Sequence, residues 1–217
     1  MRPANKLKPK SLVDQAVEQL RGEIIDGSLA PGTPLPEGQV SEWLGIARPT
    51  VREVLLRLEN EGVVQRQGRG VALAVTRIDR AQLVEIYTAR FHLETAGARA
   101  FATAALEDRE ALDRSIEALE SSVVTSDPLS QSHLDSACHT AVVALTGSRK
   151  LVALHRQLMV EARLATLAAG RPDGEIVIAN HREFVDLLRA GEFDAACDQL
   201  KQRMDIARER LFRILPA

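Results

Sequence analysis

The sequence predicts a mainly α protein: an N-terminal winged helix-turn-helix with a small β-hairpin wing, then a C-terminal all-α six-helix bundle. Three observations carry that expectation. Arg48 and Arg52 stand four apart at the head of a helical pattern whose other side repeats Val51, Val54, Leu55 and Leu58. Two short β-prone runs, residues 63–66 and 71–75, follow across Gln67-Gly-Arg-Gly70. Beyond residue 79 the apolar patterns are helical throughout, with no second strand cluster.

A Lys/Pro-rich arm with Arg2, Lys6, Lys8 and Lys10 opens the chain. Residues 12–26 then read as a helix with Val13, Val17, Leu20 and Ile24 on one stripe, ended by the breaker-rich run Gly27-Ser-Leu-Ala-Pro-Gly-Thr-Pro-Leu-Pro36. Val40, Trp43 and Leu44 mark a shorter helix, and Gly45 supplies the tight turn before the arginine-bearing helix. A helix placed this way enters the major groove N-terminal end first, where Arg meets guanine acceptors or phosphates. Arg69, flanked by glycines at the tip of the wing, is placed to reach a minor groove or a phosphate. Residues 76–79 read as the linker between a DNA-binding domain, 1–76, and a helical domain, 79–217. Asp79 with Gln82 three residues on forms a capping-box pattern that opens the next helix.

Six helices are expected in the second domain, at about 80–103, 107–124, 128–146, 148–169, 174–190 and 192–215. Gly or Pro punctuates the breaks after the second, third, fourth and fifth. Leu112, Ile116, Leu119 and Val123 make one bundle-facing stripe; Phe193, Ala196, Leu200, Met204, Ala207, Leu211 and Ile214 make another.

The net charge of −2 over 217 residues is low for a nucleic-acid binder, so its distribution matters. Residues 1–76 hold ten Lys+Arg against nine Asp+Glu, and the remainder 18 against 21. DNA binding therefore requires the positive side chains to gather on one face. No apolar run approaches the roughly 20 residues a bilayer-spanning helix needs, and no signal-peptide pattern is present, which points to the cytoplasm. Cys138 and Cys197 match no metal-binding spacing and read as small core residues, with a reactive thiol at Cys138 as the alternative.

In the helical domain Asp135 and His139 stand four apart on one helix, and His181 lies on the stripe of Val177, Phe184 and Leu188. Their side chains are able to converge on a divalent metal. A buried His hydrogen-bonded to an Asp leaves the same pattern, and spacing alone leaves both readings open.

At this level of detail the chain resembles GntR-superfamily transcription regulators of the FadR type. The resemblance rests on Gly27-Ser-Leu-Ala-Pro-Gly-Thr-Pro-Leu and Leu44-Gly-Ile-Ala-Arg-Pro-Thr-Val-Arg-Glu-Val-Leu-Leu-Arg-Leu-Glu-Asn-Glu-Gly62 in the first domain. In the second it rests on Arg90-Phe-His-Leu-Glu94, Asp135-Ser-Ala-Cys-His139 and His181-Arg-Glu-Phe. The resemblance implies a helical effector domain of the FCD type, with a metal, zinc, nickel or manganese, held by an Asp, the His four later and two further His. Asp135, His139 and His181 occupy three of those positions, and Arg203 stands at the fourth. Arginine cannot ligate a metal, but it can fork onto Asp135 or onto a ligand carboxylate. The expected outcome is a weakened or absent metal site, with Arg203 and Arg90 recognising an acidic effector; a plain i,i+4 pair with Glu94 is the other role open to Arg90.

The DNA-reading half departs from the family pattern as well. Gly38 stands where relatives often place an arginine, Ala47 replaces a capping Ser or Thr, and Pro49 comes one place early. Contacts to DNA are assigned to Arg48, Thr50, Arg52 and Arg69, with a local hydrogen bond as the alternative for Thr50 and solvated roles for Arg57 and Arg66. The whole reads as a homodimeric, non-catalytic repressor of operator DNA governed by a small carboxylate. The rival readings are a metal-dependent hydrolase built on Asp135, His139 and His181, and an architectural DNA-binding protein without a ligand.

Overall fold

The structure, a computed structural model, describes residues 11–66, 72–125, 128–167 and 174–215. They divide into two compact units, the first ending at Arg77 and the second beginning at Ile78. The basic arm and the wing tip with Arg69 lie outside the described residues.

The first unit holds α1 (Leu12–Ile25), α2 (Glu37–Leu44), α3 (Arg48–Asn60), β1 (Val64–Arg66) and β2 (Leu73–Val75). Ser11 and Asp14 cap α1 reciprocally, each side chain meeting the other's backbone N–H at 3.1 Å. Val17, Leu20 and Ile24 of α1 and Val51, Val54, Leu55 and Leu58 of α3 are buried. Each such aliphatic side chain contributes about 1.5–3 kcal/mol by leaving water. Gly45 ends α2 at φ 64°, a left-handed conformation that side chains with a Cβ rarely adopt, and so sets the turn into α3. Ala47 precedes α3 and gives no side-chain cap, while Pro49 sits in the first turn, where a missing N–H is harmless.

Strands β1 and β2 pair antiparallel with Val64 opposite Val75 and Arg66 opposite Leu73. The breaker-rich run does more than end α1. Gly32 and Leu35 donate to Val75 and Leu73 carbonyls at 2.8 and 2.7 Å, and Val75 donates to Thr33 at 2.9 Å. The run therefore lines the free edge of β2, with Pro34 in a bridge to Ala74. Trp43 is 48% exposed, and Val40 is the residue of α2 that is buried.

The second unit contains six helices among its described residues: α4 (Arg80–Ala100), α5 (Leu106–Thr125), α6 (Pro128–Ala144), α7 (Arg149–Thr166), α8 (Gly174–Ala190) and α9 (Phe193–Phe212). The capping box expected at Asp79 and Gln82 is present. A 3₁₀ turn at Phe101–Thr103 takes up the end of the span expected for α4. Leu112, Ile116 and Leu119 are buried on α5, as are Ala196, Leu200, Met204 and Leu211 on α9. Ile214 departs from its expected stripe and is 46% exposed. The helix stops at Phe212, so helical periodicity no longer governs Ile214, and Leu215 takes the buried place.

Helices α4 and α6 approach at Gly97. A Cβ there would lie 2.0 Å from the Val142 carbonyl oxygen, so only glycine lets the two backbones come this close. Cys138 and Cys197 are free and buried. Burial pushes the Cys138 thiol up to about 12, far from a reactive thiolate. No described helix is long and apolar enough to cross a membrane.

Candidate functional site

Two faces carry the residues singled out in the sequence. On α3 the buried stripe forces the remaining positions outward, and Arg48 and Arg52 are both exposed, with Thr50 half-buried between them. Arg52 Nε donates to both carboxylate oxygens of Glu37, at 2.9 and 2.8 Å. The Arg48 guanidinium lies over Gly38, its Nη2 3.4 Å from where a Cβ would stand. Arg57 and Arg66 are held within the unit. The first bonds Asp14 and Glu53 at 2.6 and 2.7 Å, and the second bonds Glu59 at 3.1 Å.

In the helical unit the core of the site is Glu94 on α4, fully enclosed among basic partners. Its Oε1 accepts from Arg90 Nε at 3.0 Å and His155 Nε2 at 3.0 Å, and its Oε2 faces His139 Nδ1 at 2.7 Å. Burial pushes the Glu94 carboxyl up, but the charges of His139 and Arg90 and the imidazole hydrogen bonds outweigh it and hold it well below the usual carboxylate range. An ionised carboxylate only accepts, so His139 carries its proton on Nδ1 and His155 on Nε2. Thr140 Oγ1, which donates to the Ser136 carbonyl at 2.9 Å, lies 3.2 Å from His155 Nδ1. Burial lowers the His155 pKa and keeps it neutral.

This arrangement leaves His139 Nε2 turned to Asp135, 3.8 Å from Oδ1. His181 Nε2 approaches the same oxygen at 2.8 Å, and the two imidazoles meet edge to face at 5.0 Å. Burial raises the Asp135 pKa, yet the His181 hydrogen bond and the charges of His139, His181 and Arg203 hold the group well below the ordinary value. Burial takes His181 the other way, down to about 4.

Asp135, His139, Arg90 and Arg203 line a cavity of about 540 Å³, together with Asn180 and Arg210. Much of the remaining wall is apolar, including Leu119, Met159, Leu200 and Met204. Four arginines, Arg90, Arg163, Arg203 and Arg210, stand against Asp135 and Glu183 around it, so the lining carries an excess of positive charge. Arg90 therefore has both of the roles the sequence left open, pairing with Glu94 and facing the cavity. Arg203 does not fork onto Asp135; its Nη1 donates to the Asn180 carbonyl at 3.4 Å.

The ligand atoms of Asp135, His139 and His181 lie within 4.8 Å of one another, a spacing suited to a cation, and Glu94 orients His139 as an outer carboxylate does at metal sites. The fourth position is where the fit fails. Arg203 offers no lone pair, and its charge is close enough to depress both Asp135 and His181. The residues present do not make up a four-ligand seat.

Sequence reasoning missed His155 and treated Glu94 only as a partner for Arg90. His155 shares the buried face of α7 with Met159 and Ala162, three and four residues apart along the helix, the same signal that singled out His181. The convergence of Glu94 on three helices had no local signal.

Comparison with known proteins agrees with the fold. The description "Bacterial regulatory proteins, gntR family" matches residues 12–73, and "FCD domain" matches residues 85–205. The chain belongs to the GntR family of bacterial regulatory proteins, with an FCD domain in its helical unit. The HTH-type transcriptional repressor NagR of Bacillus subtilis (strain 168) is 40% identical over 79 residues, 36% of this chain and 32% of its own length. The repressor RspR of Escherichia coli (strain K12) is 35% identical over 105 residues, 48% of this chain and 45% of its own length. The matches thus span less than half the length of these curated relatives. A crystal structure from Rhodococcus sp. RHA1, assigned as a GntR transcriptional regulator, shares the fold with a TM-score of 0.81, 24% identity and coverage of 95% of this chain and 100% of its own. E. coli McbR/YncC does so with a TM-score of 0.73, 24% identity and coverage of 94% and 99%.

Proposed function

We propose that the protein acts in the cytoplasm as a homodimeric repressor, reading operator DNA with Arg48, Thr50, Arg52 and Arg69 and releasing it when a small anion enters the helical domain. The exposed pair Arg48 and Arg52, on a helix whose opposite stripe is buried, carries the DNA reading. Two such helices related by a twofold axis suit a near-palindromic site. The repressor names of NagR and RspR support the sign.

The arginine-rich cavity carries the effector reading. Arg203 and Arg90 supply fixed charge for a carboxylate, His139 Nε2 and Asp135 supply polar partners, and the apolar wall accepts a carbon skeleton. A ligand that prefers one arrangement of the helical domain shifts operator affinity by its coupling free energy, commonly about 1–3 kcal/mol. For the hydrolase reading, Glu94 makes a poor base, because it is enclosed and accepts three hydrogen bonds.

The test starts from a duplex selected from random sequence by the wild-type protein. Arg48→Ala is expected to weaken binding to it by about 1–3 kcal/mol with unchanged thermal melting. A panel of small carboxylates and sugar acids, read by melting temperature and operator affinity, is expected to contain a compound that raises the first and lowers the second. Unchanged melting across the panel would favour the architectural, ligand-free reading instead.

A further inference from the structure

We infer that Glu37 is a specificity-determining residue of the DNA-reading face: it grips Arg52 by the Nε edge, so that both terminal nitrogens present a fork to a guanine in the major groove. The inference rests on the reading of α3 as the helix that enters DNA. It concerns a residue on a different helix, α2, which contacts DNA in none of the assignments above.

The atoms involved are what distinguish this pair from the other arginine–carboxylate pairs of the unit. Both Glu37 oxygens sit on Arg52 Nε, at 2.9 and 2.8 Å, and no hydrogen bond is drawn from either terminal nitrogen to Glu37. Arg57, by contrast, spends Nη1 on Asp14 and Nη2 on Glu53. Arg21 spends Nε and Nη2 on Glu61, and Arg66 spends the same two atoms on Glu59. A guanidinium has five N–H groups in a rigid plane, and reading guanine O6 and N7 requires two of them side by side. Arg52 keeps the terminal pair for that purpose.

Stability is a poor explanation for the contact. The side chains are 66% and 40% exposed, and an ion pair so open to water adds little to folding. Its effect falls instead on a long side chain that would otherwise lose rotational freedom on docking. Glu37 is itself steadied at the first position of α2, where the exposed backbone N–H groups favour a carboxylate. Gly38, the next residue, lies beneath the Arg48 guanidinium, whose Nη2 stands at ordinary contact distance, 3.4 Å, from where a Cβ would be.

The experiment compares wild type, Glu37→Gln, Arg52→Ala and the double variant, each on the selected operator and on a scrambled duplex at one salt concentration. The ratio of the two affinities cancels the general attraction gained by removing a negative charge. Glu37→Gln is expected to keep its melting temperature and lower the ratio about tenfold, and the double variant is expected to be no worse than Arg52→Ala. Replacing operator guanines singly with 7-deazaguanine, which lacks N7, is expected to reveal a position that costs wild type about tenfold and Glu37→Gln far less. If Arg52→Ala lowers the ratio and Glu37→Gln does not, the role of Glu37 is wrong while the α3 reading stands. Equal weakening on both duplexes would make Glu37 a structural or phosphate-side residue and overturn the inference. An unchanged ratio for Arg52→Ala would remove the inference together with the α3 reading beneath it.

Discussion

Glu94 on α4 and His139 on α6, 45 residues apart in sequence, share a 2.7 Å hydrogen bond that fixes which nitrogen of the imidazole faces the cavity. The bond joins the buried charge cluster to the ligand-facing surface. A change at the enclosed carboxylate therefore reaches both stability and binding.

Glu94→Gln should destabilise the helical unit by about 3 kcal/mol, because it leaves the buried Arg90 without its counter-charge. Chemical denaturation gives the direct measure. A midpoint within error of wild type would mean that Arg90 finds compensation elsewhere.

Acid should loosen the same unit in two stages. The pKa of His181 is depressed from 6.5 to about 4, so the folded state resists a proton that the unfolded chain accepts. Its contribution is complete above pH 6.5 and falls away below it, by up to about 1.4 kcal/mol per pH unit. His155 is shifted in the same direction by burial. Glu94 and Asp135 are depressed below their ordinary values of 4.5 and 3.8, so their contributions are present above those values and are lost as pH falls further. Asp135 is a third exposed and counts for less, since water screens it. Urea midpoints in chelator should decline from pH 7 to 5 and more steeply below 4.5; a flat profile would contradict the assignment of neutral, buried histidines.

Gly97→Ala should cost about 1–3 kcal/mol by overpacking, since the new methyl collides with the Val142 carbonyl. The collision is with backbone, which cannot turn aside as a side chain can. Because α4 carries Arg90 and Glu94 while α6 carries Asp135 and His139, affinity for any cavity ligand should fall with it. Unaltered melting together with unaltered ligand affinity would show that the helices separate freely.

Arg203→His should turn a poor cation site into a good one. Wild type purified without chelator is expected to hold zinc, nickel or manganese well below one ion per chain, and the variant to approach one, as counted by elemental analysis. A full equivalent of tightly held metal in wild type would overturn the role given to Arg203.

Much of the fold was legible because local rules governed it. The stripe of Val51, Val54, Leu55 and Leu58, the turn at Gly45 and the capping box at Asp79 each lie within a few residues of chain, and each appears in the structure. Ile214 was misplaced because a helical stripe was carried past the end of α9.

Sequence alone determined the order of helices and strands, the outward pair Arg48 and Arg52, and the departure at Arg203, since side-chain period and residue chemistry are properties of the chain itself. Tertiary packing alone decided that Glu94 gathers Arg90, His139 and His155, that Arg203 bonds Asn180 rather than Asp135, and that residues 32–35 border β2. Those contacts join residues distant in sequence, and their partners are chosen by the need to satisfy charge and backbone polarity once water has been excluded.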